Sequence, residues 1–191
     1  MEGLFARYPV APGSFDELIA QGHEPHPDFR RVVELLGARS PGEFARAQGL
    51  AELALLHQGV TFSVYSDNRG AEKIFPFCLV PRLVSWTAFR HLQRGLEQRV
   101  HALGLFLDDI YGAQKILGEK PLLRGLVLGA KLYLPKLRGV RPAGGVRIHI
   151  AGIDLIRDHE GTFRVLEDNL RVPSGVSYML ENRKMMMRLF P

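Results

Sequence analysis

The sequence contains a single cysteine and a single tryptophan among its 191 residues. One thiol excludes an internal disulfide framework and a cysteine-based zinc site, and a lone cysteine fits a reducing compartment. Cys78 lies in an apolar run, so we expect its thiol to be buried. The first residues, Met1 to Val10, include Glu2 and Arg7 and lack the apolar segment of a signal peptide.

Long hydrophobic runs are also absent. The most apolar stretch, Leu122 to Leu134, is interrupted by two glycines and two cations, and it is shorter than the roughly 20 apolar residues that span a bilayer. We therefore expect no membrane partner and a cytoplasmic location. With 46% hydrophobic and 24% charged residues, the chain can still build a packed core, which excludes a wholly disordered protein.

Positive charge is concentrated in the last part of the chain. The net charge is +5, and residues 136–191 alone carry 10 Lys and Arg against 6 Asp and Glu. Such an excess suits an anionic ligand or a nucleic acid, although an ordinary solvated basic surface explains it equally well. Acidic residues are interleaved with the basic ones and no array of stacking aromatics accompanies them, so we expect no nucleic-acid partner.

Local signals in the first two thirds predict both helices and a hairpin. Ser40 to Glu43 reads as a capping box with proline in the first helical turn. Apolar residues at steps of three and four predict a long helix from Ser85 to Ile110. Alternating residues over Val60 to Tyr65 and Lys73 to Phe77 predict two strands, joined by a turn at Ser66 to Gly70.

The last quarter predicts a second hairpin followed by a helix. Val146 to Arg157 is rich in β-forming residues, a four-residue loop follows at 158–161, and Thr162 to Glu167 returns as the second strand. A glycine-rich stretch, Gly139 to Gly145, predicts a linker before this hairpin. Strands and helices are therefore mixed without a repeating βαβ order, and we expect an α+β fold.

Oxygen-bearing side chains recur along the second hairpin. A four-residue loop would place Asp154 opposite Val165 and make Glu167 its diagonal neighbour on the same face, with Asn169 continuing that face. Two carboxylates and an amide oxygen on an otherwise apolar face fit a Mg²⁺ site. A solvent-facing hairpin with ordinary surface acids remains the alternative. A three- or five-residue loop would place the two carboxylates on opposite faces.

The segment after the hairpin adds features of an anion site. Residues Leu170 to Gly175 end in small residues just before a helix, and backbone N–H groups at a helix start bind anions. Arg171 adds a guanidinium that can bind phosphate or carboxylate through two hydrogen bonds. A plain loop that caps the helix with Ser174 or Ser177 is the alternative.

These motifs together resemble a known family. Three of them follow the order of the metal and substrate-loop motifs of ATP-grasp ligases: Gly152-Ile153-Asp154, Leu166-Glu167-Asp168-Asn169 and Pro173-Ser174-Gly175. The wider run from Val165 to Arg183 more specifically resembles the circularly permuted ATP-grasp family, of which glutathionylspermidine synthase is a related member. Upstream, Gln58 to Asp67 and Pro76 to Arg82 resemble the N-terminal region of that family.

The resemblance implies two sets of site residues. In the first set, Asp154, Glu167 and Asn169 would bind the Mg²⁺ that bridges ATP phosphates. In the second set, Arg171 and the backbone of Ser174 and Gly175 would hold the transferred phosphoryl group or the acyl phosphate. It also implies an N-terminal α+β region over residues 1–138 and an incomplete permuted ATP-grasp core over residues 139–191.

The activity implied is ATP-dependent joining of a small-molecule or peptide carboxylate to an amine through an acyl phosphate. In the permuted order, the half of the domain that clamps the nucleotide follows the metal strands. We therefore expect the 191 residues to be a truncated ligase that is inactive without its missing half, and we expect that half, or a second copy of this chain, as partner. The alternative is a non-catalytic interaction module derived from the same family.

Overall fold

The fold is α+β, as the sequence predicts. A computed structural model describes residues 3–6, 8–20, 23–63, 72–74 and 76–191. The described helices are α1 (Arg30–Gly37), α2 (Pro41–His57), α3 (Trp86–Tyr111), α4 (Lys115–Glu119), α5 (Pro121–Leu128) and α6 (Gly175–Leu189). The strands form two separate two-stranded sheets, with β1 (Thr61–Ser63) beside β2 (Glu72–Ile74) and β3 (Gly152–Arg157) beside β4 (Phe163–Asn169). None of the helices in these residues combines the length and apolarity that crossing a membrane requires.

The chain divides into two compact units. The first comprises the described residues within 1–88, 156–164 and 174–191, and the second comprises residues 89–155 and 165–173. The boundary at residues 138 and 139, which the family resemblance implies, stays a prediction.

Helix α2 begins with the predicted capping box. The Ser40 N–H donates to Glu43 Oε2 at 2.8 Å, and the Glu43 N–H donates to Ser40 Oγ at 3.3 Å. Small and apolar residues spaced by four then give the helix one buried face. This face packs in a core cluster of the first unit, formed by Ala47, Ala51, Leu55, Leu79 and Met185. Because Met185 belongs to α6, the cluster attaches α6 to α2.

A second core cluster of the first unit holds the N-terminal segment against α1. Its buried members are Phe5, Leu18, Ile19, Val33 and Leu36. Val33 and Leu36 lie on α1 and are spaced by three, which places them on the same face of the helix. This packing gives fixed positions to a segment that is rich in proline and glycine and has little regular structure of its own.

The first hairpin is described over Thr61–Ser63 and Glu72–Ile74, and the predicted strand residues Val64, Tyr65 and Phe75 lie outside the described residues. Its register pairs Thr61 with Ile74 and Ser63 with Glu72, and the turn predicted at Ser66 to Gly70 lies outside the described residues. The prediction of a buried thiol is wrong, because Cys78 is exposed. The next residue, Leu79, is fully buried instead and supplies the apolar side chain of this segment.

Helix α3 begins where the sequence predicts. The hydroxyl of Ser85 accepts a hydrogen bond from the Ala88 N–H at 3.2 Å. The prediction of a strand from Val146 onward is wrong for its first half, because β3 begins only at Gly152. Arg147, in the part that is not strand, is instead ion-paired with Asp108 of α3.

The turn of the second hairpin differs from the prediction by one residue. The Asp158 N–H donates to the Thr162 carbonyl, and the Gly161 N–H donates to the Asp158 carbonyl, each at 2.9 Å. The loop therefore has three residues, 159–161, and not four. A three-residue loop of this kind needs a left-handed residue at its third position, and Gly161 supplies it with φ +83°. The Thr162 N–H and then the Arg164 guanidinium hold the pKa of the Asp158 carboxyl below its usual range.

Replacing Gly161 with alanine tests this turn. A Cβ at this position meets a left-handed backbone and would lie 2.7 Å from Phe15 Cε2. We expect Gly161→Ala to lower the free energy of unfolding by about 1–3 kcal/mol, measured by thermal or urea denaturation. Gly13→Ala is the matched control, because Gly13 has φ +74° but open space around its Cβ. Equal losses in the two variants would show that the Phe15 contact contributes nothing.

Candidate active site

At the open end of the second hairpin, the pairing of β3 with β4 differs from the register that the turn sets. In a regular ladder that starts with Asp158 opposite Thr162, Gly152 would lie opposite Asp168. A Cβ placed on Gly152 would instead lie 3.6 Å from the Cβ of Asn169, so these two residues face each other. β4 therefore holds one residue more than β3 between the turn and this end, and the extra residue is a β-bulge.

The bulge decides which side chains share a face. We infer that it lies at Leu166 and Glu167, because these two consecutive residues of β4 are exposed, while exposed and half-buried residues alternate along the rest of the strand. With the bulge, Leu166 and Glu167 together lie opposite Asp154, and the turn register already excludes the predicted pairing of Asp154 with Val165. The shorter loop alone would have separated the two carboxylates. Because the bulge compensates for it, Asp154, Glu167 and Asn169 lie on one exposed face of the hairpin.

The three oxygen-bearing side chains leave acceptor atoms available. Asn169 Nδ2 donates a hydrogen bond to Glu167 Oε1 at 2.8 Å. Among the described residues, no donor contacts Asn169 Oδ1, Glu167 Oε2 or the Asp154 carboxylate. The same part of the chain contains no group of three or more His, Cys, Asp and Glu side chains arranged to hold a metal ion. The arrangement thus offers two carboxylates and one amide oxygen, a donor set suited to a hard cation that keeps some of its waters.

Asp168 points to the opposite face from its two neighbours and forms an ion pair there. Arg99 of α3 donates from Nε to Asp168 Oδ1 at 2.8 Å and from Nη2 to Oδ2 at 2.6 Å. The guanidinium holds the pKa of the Asp168 carboxyl below its usual range. Since Asp168 stands between Glu167 and Asn169 in sequence, this two-pronged contact fixes the strand that carries both oxygen donors.

The loop after β4 packs closely against β3. A Cβ on Gly152 would lie 2.7 Å from the Cβ of Pro173, so only glycine allows this approach. The side chain of proline closes a rigid ring onto the backbone nitrogen, so the contact restricts the main chain of the loop as well as one side chain. The loop that contains Arg171 is thereby held against the start of β3 at Gly152.

The predicted phosphoryl-binding residues lie in and just after that loop. Arg171 is exposed, and the described residues offer its guanidinium no ion-pair partner. Ser174 directly precedes α6, but its hydroxyl makes no capping hydrogen bond to the helix. Gly175 is the first residue of α6 and is exposed. The binding roles of these residues, and of the three oxygen donors, stay predictions.

Sequence reasoning assigned no role to Arg99, Asp168 or Gly152. Strand alternation could have placed Asp168 on the face opposite Glu167 and Asn169, where an acid needs a partner. Nothing local could have named Arg99 as that partner, because 69 residues separate the two.

Removing the Arg99 guanidinium should change the titration of Asp168. In the folded protein the pKa of Asp168 lies below its ordinary value near 3.8. The stabilisation from the pair is therefore complete above that value and is lost as the pH falls through the lowered pKa. In Arg99→Gln we expect the pKa of Asp168 to rise toward 3.8, measured by NMR of the side-chain carboxyl carbon. Asp158, which pairs with Arg164, is the internal control and should keep its pKa. An unchanged pKa for Asp168 would contradict the assigned contact.

Gly152→Ala should displace the loop from the hairpin. The new Cβ must push Pro173 away, and overpacking of this kind costs about 1–3 kcal/mol of stability. We expect a lower midpoint of urea unfolding together with shifted amide signals from Leu170 to Ser174. Gly104→Ala, at an open position of α3, should be neutral or stabilising because alanine favours helix. Similar unfolding midpoints in both variants would show that the Gly152–Pro173 approach is not tight.

Comparison with known proteins shows which family this sequence matches. A sequence profile for the circularly permuted ATP-grasp type 2 family matches residues 81–191. An uncharacterised protein of Synechocystis sp. is 44% identical over 181 residues, which are 94% of this chain and 38% of that protein. An uncharacterised protein of Mycobacterium tuberculosis is 49% identical over 179 residues, 93% of this chain and 32% of that protein.

A relative with a more informative name comes from Frankia alni. This putative glutamate–cysteine ligase is 38% identical over 191 residues, which are 98% of this chain and 21% of the relative. The chain thus spans about a fifth to two fifths of the length of these relatives. The profile covers more than half of the chain, including β3, β4, the loop and α6, and the chain belongs to the circularly permuted ATP-grasp type 2 family.

Proposed function

We propose that this chain is part of an ATP- and Mg²⁺-dependent carboxylate–amine ligase. What supports the proposal is that Asp154, Glu167 and Asn169 are all exposed, that the inferred bulge brings them to one face, and that Arg171 of the following loop has no ion-pair partner among the described residues. Membership of the ATP-grasp family supports an ATP-dependent, ligase-like function. The alternative of a non-catalytic interaction module has no observation in its favour.

The donor set fits Mg²⁺ by its chemistry. The side chains offer only oxygen atoms, and the Nδ2 of Asn169 is already turned toward Glu167, which leaves its Oδ1 for the cation. Bound there, Mg²⁺ would neutralise phosphate oxygens and draw electron density from the transferred phosphorus. Arg99 would act as a positioning residue, because it holds the strand between Glu167 and Asn169 through Asp168.

The loop would bind the transferred group. Arg171 supplies a permanent positive charge that can form two hydrogen bonds with phosphoryl oxygens. The Ser174 hydroxyl makes no capping hydrogen bond to α6, and the N–H groups of Ser174 and Gly175 at the start of this helix would donate hydrogen bonds to phosphoryl oxygens. In the proposed reaction, a carboxylate oxygen bonds to the γ-phosphorus as ADP leaves, and the amine then bonds to the acyl carbon as phosphate and a proton leave.

The names of relatives agree with this substrate class. The Frankia proteins are named putative glutamate–cysteine ligases, and glutamate and cysteine together present a carboxylate and an amine. We propose an amino acid or peptide carboxylate and an amine as substrates here. We also propose that groups clamping the nucleotide come from sequence beyond these 191 residues, because the relatives are several times longer, or from a second copy of this chain.

Removing the two carboxylates should abolish cation binding. In calorimetric titration with Mg²⁺, we expect heat of binding for the unmodified chain and a loss of about tenfold or more in affinity for Asp154→Asn combined with Glu167→Gln, because ligand charge dominates the affinity of such sites. The matched control combines Glu119→Gln with Glu160→Gln, which removes the same charge from exposed positions.

The two double variants separate a site from general electrostatics. Equal weakening in both would mean that net charge alone attracts the cation. Equal heats for the unmodified chain and the Asp154/Glu167 variant would refute the proposed metal site, provided that circular dichroism shows both to be folded.

A further inference from the structure

The second compact unit contains an open cavity that the proposed ligase site does not use. Its volume is about 760 Å³, within the usual range for small-molecule sites. One wall comes from the C-terminal end of α3 and the loop that follows, and the other comes from the glycine-rich stretch before β3. The lining residues that carry the argument are Asp108, Tyr111, Gly139, Arg141 and Arg147.

Arg147 is held in the cavity wall by several contacts. Its Nε donates to Asp108, its Nη2 donates to the Val140 carbonyl at 3.2 Å, and its guanidinium lies 5.7 Å from the centre of the Tyr111 ring. A guanidinium has five N–H donors, so three remain for another partner. The ion pair with Asp108 fixes the group in place and also cancels its charge.

Arg141 provides the uncompensated charge of the cavity. It is exposed, and in the described part of the chain no carboxylate pairs with it. With Asp108 and Arg147 neutralising each other, the charged groups of the lining leave a net charge of +1. A partly enclosed site with a spare cation attracts an anion.

The wall that presents Arg141 is fixed by backbone contacts. The Gly139 N–H donates to the Tyr111 carbonyl at 2.7 Å, and the Gly145 N–H donates to the Pro142 carbonyl at 3.0 Å. Tyr111 in turn stacks on Tyr133 at 5.1 Å between ring centres. The sequence predicts only a linker here, whereas in the structure the stretch is tied to Tyr111 at its start, closed by a local turn at its end, and followed by the Arg147–Asp108 ion pair.

We propose that this cavity binds the oxyanion of a small molecule, a carboxylate or a phosphate, through Arg141 and the remaining N–H donors of Arg147. The two anions share the same chemistry, since both accept paired hydrogen bonds from guanidinium groups. The proposal goes beyond the ligase function and does not depend on it, because none of the predicted metal or loop residues lines the cavity.

Calorimetry with two probes tests the proposal on the 191-residue chain. L-glutamate represents a carboxylate and inorganic phosphate represents a phosphate, each titrated in buffer that contains EDTA so that no Mg²⁺ site contributes. We expect at least one probe to bind, and Arg141→Gln to weaken it by about tenfold or more, as loss of a charge-assisted hydrogen bond does. The matched control is Arg138→Gln, which removes an exposed arginine three residues earlier that does not line the cavity.

Each outcome of the titrations either supports or overturns the proposed anion site. Loss of glutamate binding identifies a carboxylate site, and loss of phosphate binding identifies a phosphate site. Failure of both probes to bind the unmodified chain, or equal weakening in Arg141→Gln and Arg138→Gln, would overturn the proposal. Thermal denaturation confirms that the variants are folded. The variant Asp154→Asn with Glu167→Gln should bind the probe normally, so the outcome is independent of the metal site.

Discussion

One extra residue in β4 determines which side chains share a face of the second hairpin. Side chains on a strand alternate between two faces, so a shift of one position exchanges every residue beyond it. The three-residue turn at Gly161 starts a register that would separate Asp154 from Glu167. The bulge at Leu166 and Glu167 reverses that exchange. Two local irregularities, each of one residue, therefore cancel at the end of the hairpin where the oxygen donors lie.

Because of the same alternation, the two faces of the hairpin carry side chains with different contacts. On one face, Asp154, Glu167 and Asn169 are exposed and have acceptor oxygens to offer. On the other face, Asp168 forms an ion pair with Arg99 of α3. An exposed ion pair contributes little to stability, but one with two hydrogen bonds restricts orientation. Its importance is thus geometric, because it limits how the strand and its two donors can rotate.

Prediction from sequence succeeded where the signal is local. The capping box at Ser40 sets the start of α2, and the hydroxyl of Ser85 sets the start of α3; both are contacts within three residues. It failed where several conformations fit the same residues. Asp158 to Gly161 can close as a loop of three or four, Val146 to Ala151 is rich in β-forming residues but makes no strand, and Cys78 is exposed although its neighbours are apolar.

The sequence by itself determined which donor atoms are available, because residue types fix them: carboxylate and amide oxygens in β3 and β4, then an arginine before a helix. Only the tertiary structure decided which of those atoms meet. The register shift, the approach of Pro173 to Gly152, the partner of Asp168 and the cavity around Arg141 all depend on contacts between distant or packed segments. Such contacts form only when the chain folds, so a short-range pattern of residue types along the sequence does not predict them.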